Sequence, residues 1–343
     1  MAEGTRLVPD VLSEYAVLTR DALRRYLPSG DPRTYLYDLL SDYPTRGGKM
    51  MRSGLCLATA RAFGASIEDA LGSAASIELL HNALLIHDDI QDGSDQRRGR
   101  PALHRLHGIP LALNAGDTLS LLSLRPLKEN VDRLGPGLAM RILEETERTA
   151  WESAEGQALE LGWRRDNRMD VGDADYLEMV LKKTCWLAAI HPVRVGALIG
   201  TRTDIEAQAF VRFGFFLGAA FQIQDDVLNL KGECGYGTER NGDLWEGKRT
   251  LMLIHACRRS TAQERKRTTL ILGVPREQRT AQDVSWLRAQ MDRYQAVDFA
   301  LGVARGLAGA ALHEFEQAFA GVPDSRDKRF IRGLATWVLQ RTT

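Results

Sequence analysis

The stretch IEDALGSAASIELLHNALLIHDDIQD, residues 67–92, decides how this chain is read. It contains no proline, and from Ala70 to Ile86 apolar residues fall on every side of a helical period instead of along one stripe. A helix of that kind belongs in the middle of a bundle, covered all round. It ends in HDDIQD, where Asp88 and Asp92 stand four residues apart, so both carboxylates leave one face about one turn apart. A second apolar stretch ends the same way: FQIQDDVLN, residues 221–229, sets Asp225 four before Asn229, with Asp226 beside it. Carboxylates bundled at a helix C-terminus oppose the helix dipole, and burying them is costly unless positive charge arrives. Oxygen donors at this density suit Mg²⁺, which takes one or two carboxylates together with substrate phosphates. Either cluster alone also reads as a solvated acidic helix end. Two of them, each following a stretch too apolar for a surface, read as one site.

Working outward, the chain is rich in Ala, Leu, Glu and Arg, and its 11 prolines leave long spans uninterrupted. Helices are expected near 8–26, 31–41, 49–63, 67–92, 109–126, 136–161, 173–200 (interrupted around Pro192), 204–231, 246–259, 278–294, 295–320 and 326–341. No run alternates with the period of a half-buried strand. The fold class is therefore all-α, read as a single domain over residues 1–343, with loops at 28–32, 43–48, 92–101, 162–173 and 231–243.

Cations suited to an anionic ligand lie near both clusters. GGKMMR (47–52) presents Lys49 and Arg52 three apart at a helix start, behind two glycines that let a ligand approach the backbone. QRRGRP (96–101) places Arg97 and Arg98 just past the first acidic cluster, while KKT (182–184) and EGKRT (246–250) add Lys183 and Lys248. Each is an ordinary basic patch by itself; with the aspartates they describe phosphate, metal and phosphate in alternation. His81 falls seven residues before Asp88 on the same face, as a core histidine or as a ligand to the site. His87 is placed to support the aspartates, and His104, His107, His191 and His255 have no informative spacing.

Forty-five basic and 45 acidic residues cancel, so no overall field for nucleic acid or an anionic membrane exists. Cys56, Cys185, Cys234 and Cys257 form no CxxC or Cys/His metal spacing. No basic-then-apolar leader opens the chain, and no uncharged apolar run reaches about 18 residues. A soluble, cytoplasmic protein is expected.

These motifs resemble the trans-isoprenyl diphosphate synthases, or polyprenyl synthetases. The resemblance runs from Gly47 to Ala256 through GGKxxR, HNALLIHDDIQD, RRGRPALH (97–104), NAGD (114–117), EGQ (155–157), KKT, FQIQDDVLN and GDLWEGKRT (242–250). It implies a bundle of long helices around a central cavity, usually homodimeric. It also implies Mg²⁺-dependent condensation of isopentenyl diphosphate with an allylic diphosphate. By motif, Asp88, Asp92 and Asp225 would ligate Mg²⁺, with Asp89 and Asp226 close behind. Lys49, Arg52, His81 and Arg98 would hold isopentenyl diphosphate; Arg97, Lys183 and Lys248 the allylic diphosphate. Thr184 and Gln222 would line the space where the carbocation forms, and departing pyrophosphate would take the proton.

Two positions depart from the pattern. Asn229 stands where many members carry aspartate, and is expected at most to hold a water. Gly237-Thr238 replaces the usual Gly-Lys, with Arg240 as a candidate substitute. Chain length is expected to be set beneath the first motif by Leu84, Ala83, Leu80 and Ile77, the last roughly 16 Å deeper than Asp88. Family members that stop at farnesyl diphosphate carry aromatics at the two positions held here by Leu84 and Ala83, so the expected product is C20 (geranylgeranyl diphosphate) or longer. A class I terpene cyclase and a non-catalytic modulating subunit are the alternatives. GGKMMR and the Arg97–Arg98 pair argue against the first, the retained acidic motifs against the second.

Overall fold

A computed structural model describes residues 2–203, 207–231 and 239–340. The helices in chain order are α1 (Ala2–Tyr26), α2 (Asp38–Thr45), α3 (Met51–Ala62), α4 (Ile67–Asp92), α5 (Leu103–His107), α6 (Ile109–Leu122), α7 (Leu124–Leu134), α8 (Pro136–Arg165) and α9 (Asp173–Val180). A π-helical segment, Leu181–Ile190, then leads into α10 (His191–Thr201) and α11 (Ala207–Lys231). The chain closes with α12 (Gly242–Glu246), α13 (Leu251–Arg259), α14 (Ala262–Leu272), α15 (Ala281–Arg293), α16 (Ala296–Ala318) and α17 (Arg326–Gln340). The all-α expectation holds.

Local chemistry fixes α4 where the sequence puts it. The Ser66 hydroxyl accepts the Asp69 amide at 3.2 Å, and Gly93 turns the chain away at φ 65°. Both apolar helices are interior: α4 packs against α1, α3, α6 and α7, and α11 against α16 and the π segment. Helix α8 lies against the π segment so closely that a Cβ on Gly156 would meet the Lys183 backbone nitrogen and stand 2.6 Å from its Cα. Only a glycine permits that approach.

Several boundaries differ from expectation. Tyr43, Pro44 and Thr45 finish α2 instead of opening a loop, because the proline falls in the final turn. The helix expected at 109–126 breaks at Ser123 and resumes as α7, while α14 was not anticipated. The one expected at 246–259 starts only at Leu251, since Gly247 adopts φ 75°. Pro192 does not interrupt the helix through 173–200. It occupies the first turn of α10, where the register changes from π to α and no α-type N–H is required of it. Residues 96–101 form a two-strand ribbon, β1 (Gln96–Arg97) and β2 (Arg100–Pro101), paired antiparallel with Arg97 opposite Arg100. Its two-residue turn has positive φ at Arg98 (54°) and Gly99 (74°), as in tight type I′ hairpins.

No helix among the described residues is long and apolar enough to cross a membrane. Cys56, Cys185 and Cys257 are buried free thiols; Cys234, Gly237 and Thr238 lie outside the described residues.

Candidate active site

The Asp-bearing ends of α4 and α11 face one cavity of about 700 Å³, lined by Asp88 and Asp225 and also by Arg97, Lys183, Thr184, Gln222 and Lys248. A hollow of about 190 Å³ shares Arg52, His81, Arg98 and Phe221 with it and adds Gly47, Gly48 and Lys49. Most of the predicted residues therefore assemble in two adjoining compartments; Asp92, Ala83, Leu80 and Ile77 line neither.

In the larger one, Lys183 bridges two acidic side chains and Lys248 three, Asp243 being the most distant at 3.7 Å. Lys183 Nζ lies 3.2 Å from Asp88 Oδ1 and 2.8 Å from Glu160 Oε2, and Lys248 Nζ lies 2.8 Å from Asp92 Oδ2 and 2.7 Å from Glu246 Oε2. Burial alone would discharge Lys248, but the charges of Asp92 and Glu246 hold its pKa well above the ordinary value. Asp92 does not line the cavity. It is buried behind Lys248, with Arg164 from the last turn of α8 on its other oxygen. Burial would raise its carboxyl, yet Lys248, Lys183 and Arg164 keep it below the usual carboxylate range. Arg97 donates to Asp89 (Nε–Oδ1 3.0 Å) and reaches Asp88 Oδ2 at 3.4 Å. Tyr43 donates to the other Asp89 oxygen and accepts the Leu103 amide at 3.1 Å.

On the α11 side a chain of hydrogen bonds fixes the polar wall. The Thr184 hydroxyl donates to Gln222 Oε1 at 2.9 Å, Gln222 Nε2 donates to Asp226 Oδ1 at 2.8 Å, and Tyr176 donates to Asp226 Oδ2 at 2.8 Å. Burial, with the neighbouring Asp225 charge, pushes the Asp226 carboxyl up to about 7 against the two donors. Asn229 lines the cavity, but its Oδ1 accepts the Asp243 amide at 3.2 Å. That bond anchors α12, which carries Asp243 and Glu246 into the wall. Arg279 pegs that segment from behind: its buried guanidinium donates to the carbonyls of Leu244 (2.9 Å) and Trp245 on one side, and of Leu272 (3.3 Å) and Val274 (2.9 Å) on the other. Arg240 is exposed and does not line the cavity, so the substitution suggested for it finds no support.

The smaller compartment is cationic. Turned by the hairpin, Arg98 donates to the carbonyl of Tyr43 at 3.1 Å and to that of Gly47. Burial, together with the charges of Arg52, Arg98 and Arg97, holds the His81 pKa well below its ordinary value, so it faces the hollow as a neutral imidazole. Of the four residues expected to govern chain length, Leu84 lines the cavity. Ala83 instead packs with Ala112, Ala115 and Leu119 of α6, and Ile77 and Leu80 are buried without reaching the cavity surface.

Sequence reasoning missed Tyr43, Glu160, Arg164, Tyr176, Asp243 and Glu246 as parts of this site. Glu160 stands one turn after the EGQ glycine and so shares its face, a usable signal; Tyr43 and Tyr176 are joined to the aspartates only by the tertiary fold.

The donor set suits a hard divalent cation. Asp88 Oδ1 and Asp92 Oδ2 are buried and receive no aligned hydrogen bond, although an ammonium stands near each. Among the described residues, no three Asp, Glu, His or Cys side chains converge closely enough to hold a metal unaided.

The polyprenyl synthetase family pattern matches residues 33–291. A short chain isoprenyl diphosphate synthase from Methanothermobacter thermautotrophicus is 33% identical over 335 residues, covering 97% of this chain and 98% of its own. A solved geranylgeranyl pyrophosphate synthetase from Pyrococcus horikoshii superposes with a TM-score of 0.84 at 29% identity, with 98% of each chain covered. A polyprenyl synthase from Caulobacter crescentus, complexed with calcium and isoprenyl diphosphate, gives 0.82 at 28% identity, covering 99% of this chain and 97% of its own. The family acts on isoprenoid diphosphates with a divalent metal, as the ligands of the Caulobacter structure illustrate. With the two Asp-bearing helices facing one cavity beside a cationic hollow, these likenesses establish that the chain belongs to the polyprenyl synthetase family and is a trans-prenyltransferase.

Proposed function

We propose that this chain condenses isopentenyl diphosphate with an allylic diphosphate, using Mg²⁺, to give a product of C20 (geranylgeranyl diphosphate) or longer. We further propose that it works as one domain, as a homodimer in the cytoplasm. The observation that carries the reading is the shared cavity between Asp88 and Asp225, with Lys183, Lys248 and Arg97 on its walls.

Asp88, Asp225 and, once Lys248 turns from it to the diphosphate, Asp92 would hold Mg²⁺, which as a Lewis acid would stabilise the leaving pyrophosphate. Lys183, Lys248 and Arg97 donate to the allylic diphosphate and stabilise the charge that develops on it as the C–O bond breaks. Lys49, Arg52, Arg98 and neutral His81 hold the second diphosphate. Thr184 and Gln222, locked by their hydrogen bonds to one another and to Asp226, present oxygen dipoles to the allylic cation. Among the motif residues no side chain stands out as a base, which suits proton removal by the departing pyrophosphate. Leu84 puts no aromatic ring at its place on the cavity wall, which supports the longer product. Exposed Ile109 and Leu113, one turn apart on α6, support burial against a second copy. The cyclase and modulating-subunit alternatives are not favoured by the family match.

Product analysis of the purified chain with Mg²⁺, isopentenyl diphosphate and farnesyl diphosphate tests the reading. Elongation of farnesyl diphosphate is expected. Farnesyl diphosphate as sole end product from shorter starters sinks the chain-length assignment, and pyrophosphate release that needs no isopentenyl diphosphate sinks the condensation itself.

A further inference from the structure

We infer that Trp337, on the C-terminal helix α17, is a positioning residue that holds the Lys49 ammonium at the isopentenyl diphosphate compartment. The inference rests on the assignment of Lys49 to that compartment. Lys49 Nζ lies 5.2 Å from the centroid of the Trp337 ring, within the range at which an ammonium is drawn to an aromatic face. Trp337 falls beyond residues 33–291, the part of the chain spanned by the family pattern, so no family motif assigns it a role.

The two partners are anchored very differently. Lys49 sits on an irregular stretch before α3, where Gly47, Gly48 and Met50 adopt φ of 88°, 128° and 48°. A lysine on such a segment has many rotamers to lose, and ordering them opposes ligand binding. Trp337 stands on a helix packed against α1, α3 and α16, its side chain half-buried against the main core. The helix-borne ring is thus the better anchored of the two and can order the lysine side chain. The kind of contact also matters. Asp88 and Glu160 hold Lys183 by balancing its charge. A ring face attracts an ammonium through its quadrupole instead of a formal charge.

Steady-state kinetics of the full chain, varying each substrate separately, provide the test. Trp337→Leu is expected to raise the KM for isopentenyl diphosphate roughly threefold to tenfold while leaving kcat and the allylic KM unchanged. Trp337→Phe keeps a ring and should recover most of the loss. Lys49→Ala should raise the same KM, and adding Trp337→Leu to it should raise that KM no further. If Lys49→Ala raises the KM and Trp337→Leu does not, the inference fails while the Lys49 assignment stands. If Lys49→Ala leaves the KM unchanged, the assignment beneath it fails. An equal rise in both backgrounds, or a joint loss of kcat and both KM values, marks Trp337 as packing alone and also overturns the inference.

Discussion

Gly156→Ala perturbs the site without touching a charged group. The new Cβ would meet the Lys183 backbone nitrogen and stand 2.6 Å from its Cα and 2.8 Å from its Cβ, all parts of the π segment that cannot rotate aside. Ordinary contact begins near 3.4 Å, so α8 and the π segment must separate by most of an ångström. Overpacking of this kind costs about 1–3 kcal/mol. It also shifts Lys183 and Thr184 against Asp88 and Gln222, and a misplacement of about 1 Å lowers turnover by on the order of a hundredfold. Gly162, on the same helix, supplies the control: a Cβ there meets nothing within 4 Å. Gly162→Ala should raise stability by about 0.5–1 kcal/mol through helix propensity and leave kcat unchanged. Urea unfolding and steady-state kinetics on both variants decide the matter. Wild-type kcat and stability in Gly156→Ala would refute the claim that this approach sets the lysine.

Leu84→Phe, at the cavity wall, should shorten the product seen by chromatography, whereas Ala83→Phe, packed against α6, should lower the melting temperature first; equal shortening by both would put Ala83 on the tail path. His191, buried beside Thr146 Oγ1 at 3.1 Å, has its pKa pushed down to about 4 by burial and then by Arg194. Its charged form is disfavoured in the fold, so stability should fall as pH drops from the unfolded value near 6.5 toward 4, by about 2 kcal/mol between pH 7 and 5. Urea midpoints across that window should be flatter in His191→Gln; parallel curves would contradict the assignment. Thr238→Lys, restoring the family's usual lysine, should lower the KM for the allylic substrate, and an unchanged value would mean that the site already compensates.

How far the molecule could be read in advance followed the range of the forces involved. Helix α4 was legible to the residue because Ser66 and Gly93 cap it with their own atoms. The fold class and the meeting of Asp88 with Asp225 were legible because two helices apolar on all sides have only the interior to occupy. The ribbon at 96–101 escaped because two-residue strands are too short to alternate, although the Arg98-Gly99 turn carried the signal. Helix α14 escaped because Gln263 to Thr269 are all polar and the apolar residues come only at its end, from Leu270 to Leu272, too few to show a period; its Thr261–Glu264 capping box was the readable clue. Asp92 was expected to face the ligand, but nothing local to HDDIQD announces Arg164, which arrives from 72 residues away. Tyr43, Tyr176 and Trp337 are likewise products of long-range packing, and single-sequence periodicity cannot reach them.

Arg279 has a consequence for where this protein can be cut. Every motif by which the sequence was read ends at Thr250, yet the loop bearing Asp243, Glu246 and Lys248 is fastened by a guanidinium supplied 35 positions beyond Leu244. A fragment trimmed to the motifs would keep all the reactive groups and lose the rivet that aims them. The minimal working unit is thus dictated by carbonyl oxygens that need a donor, and it extends well past the final recognisable word of the sequence.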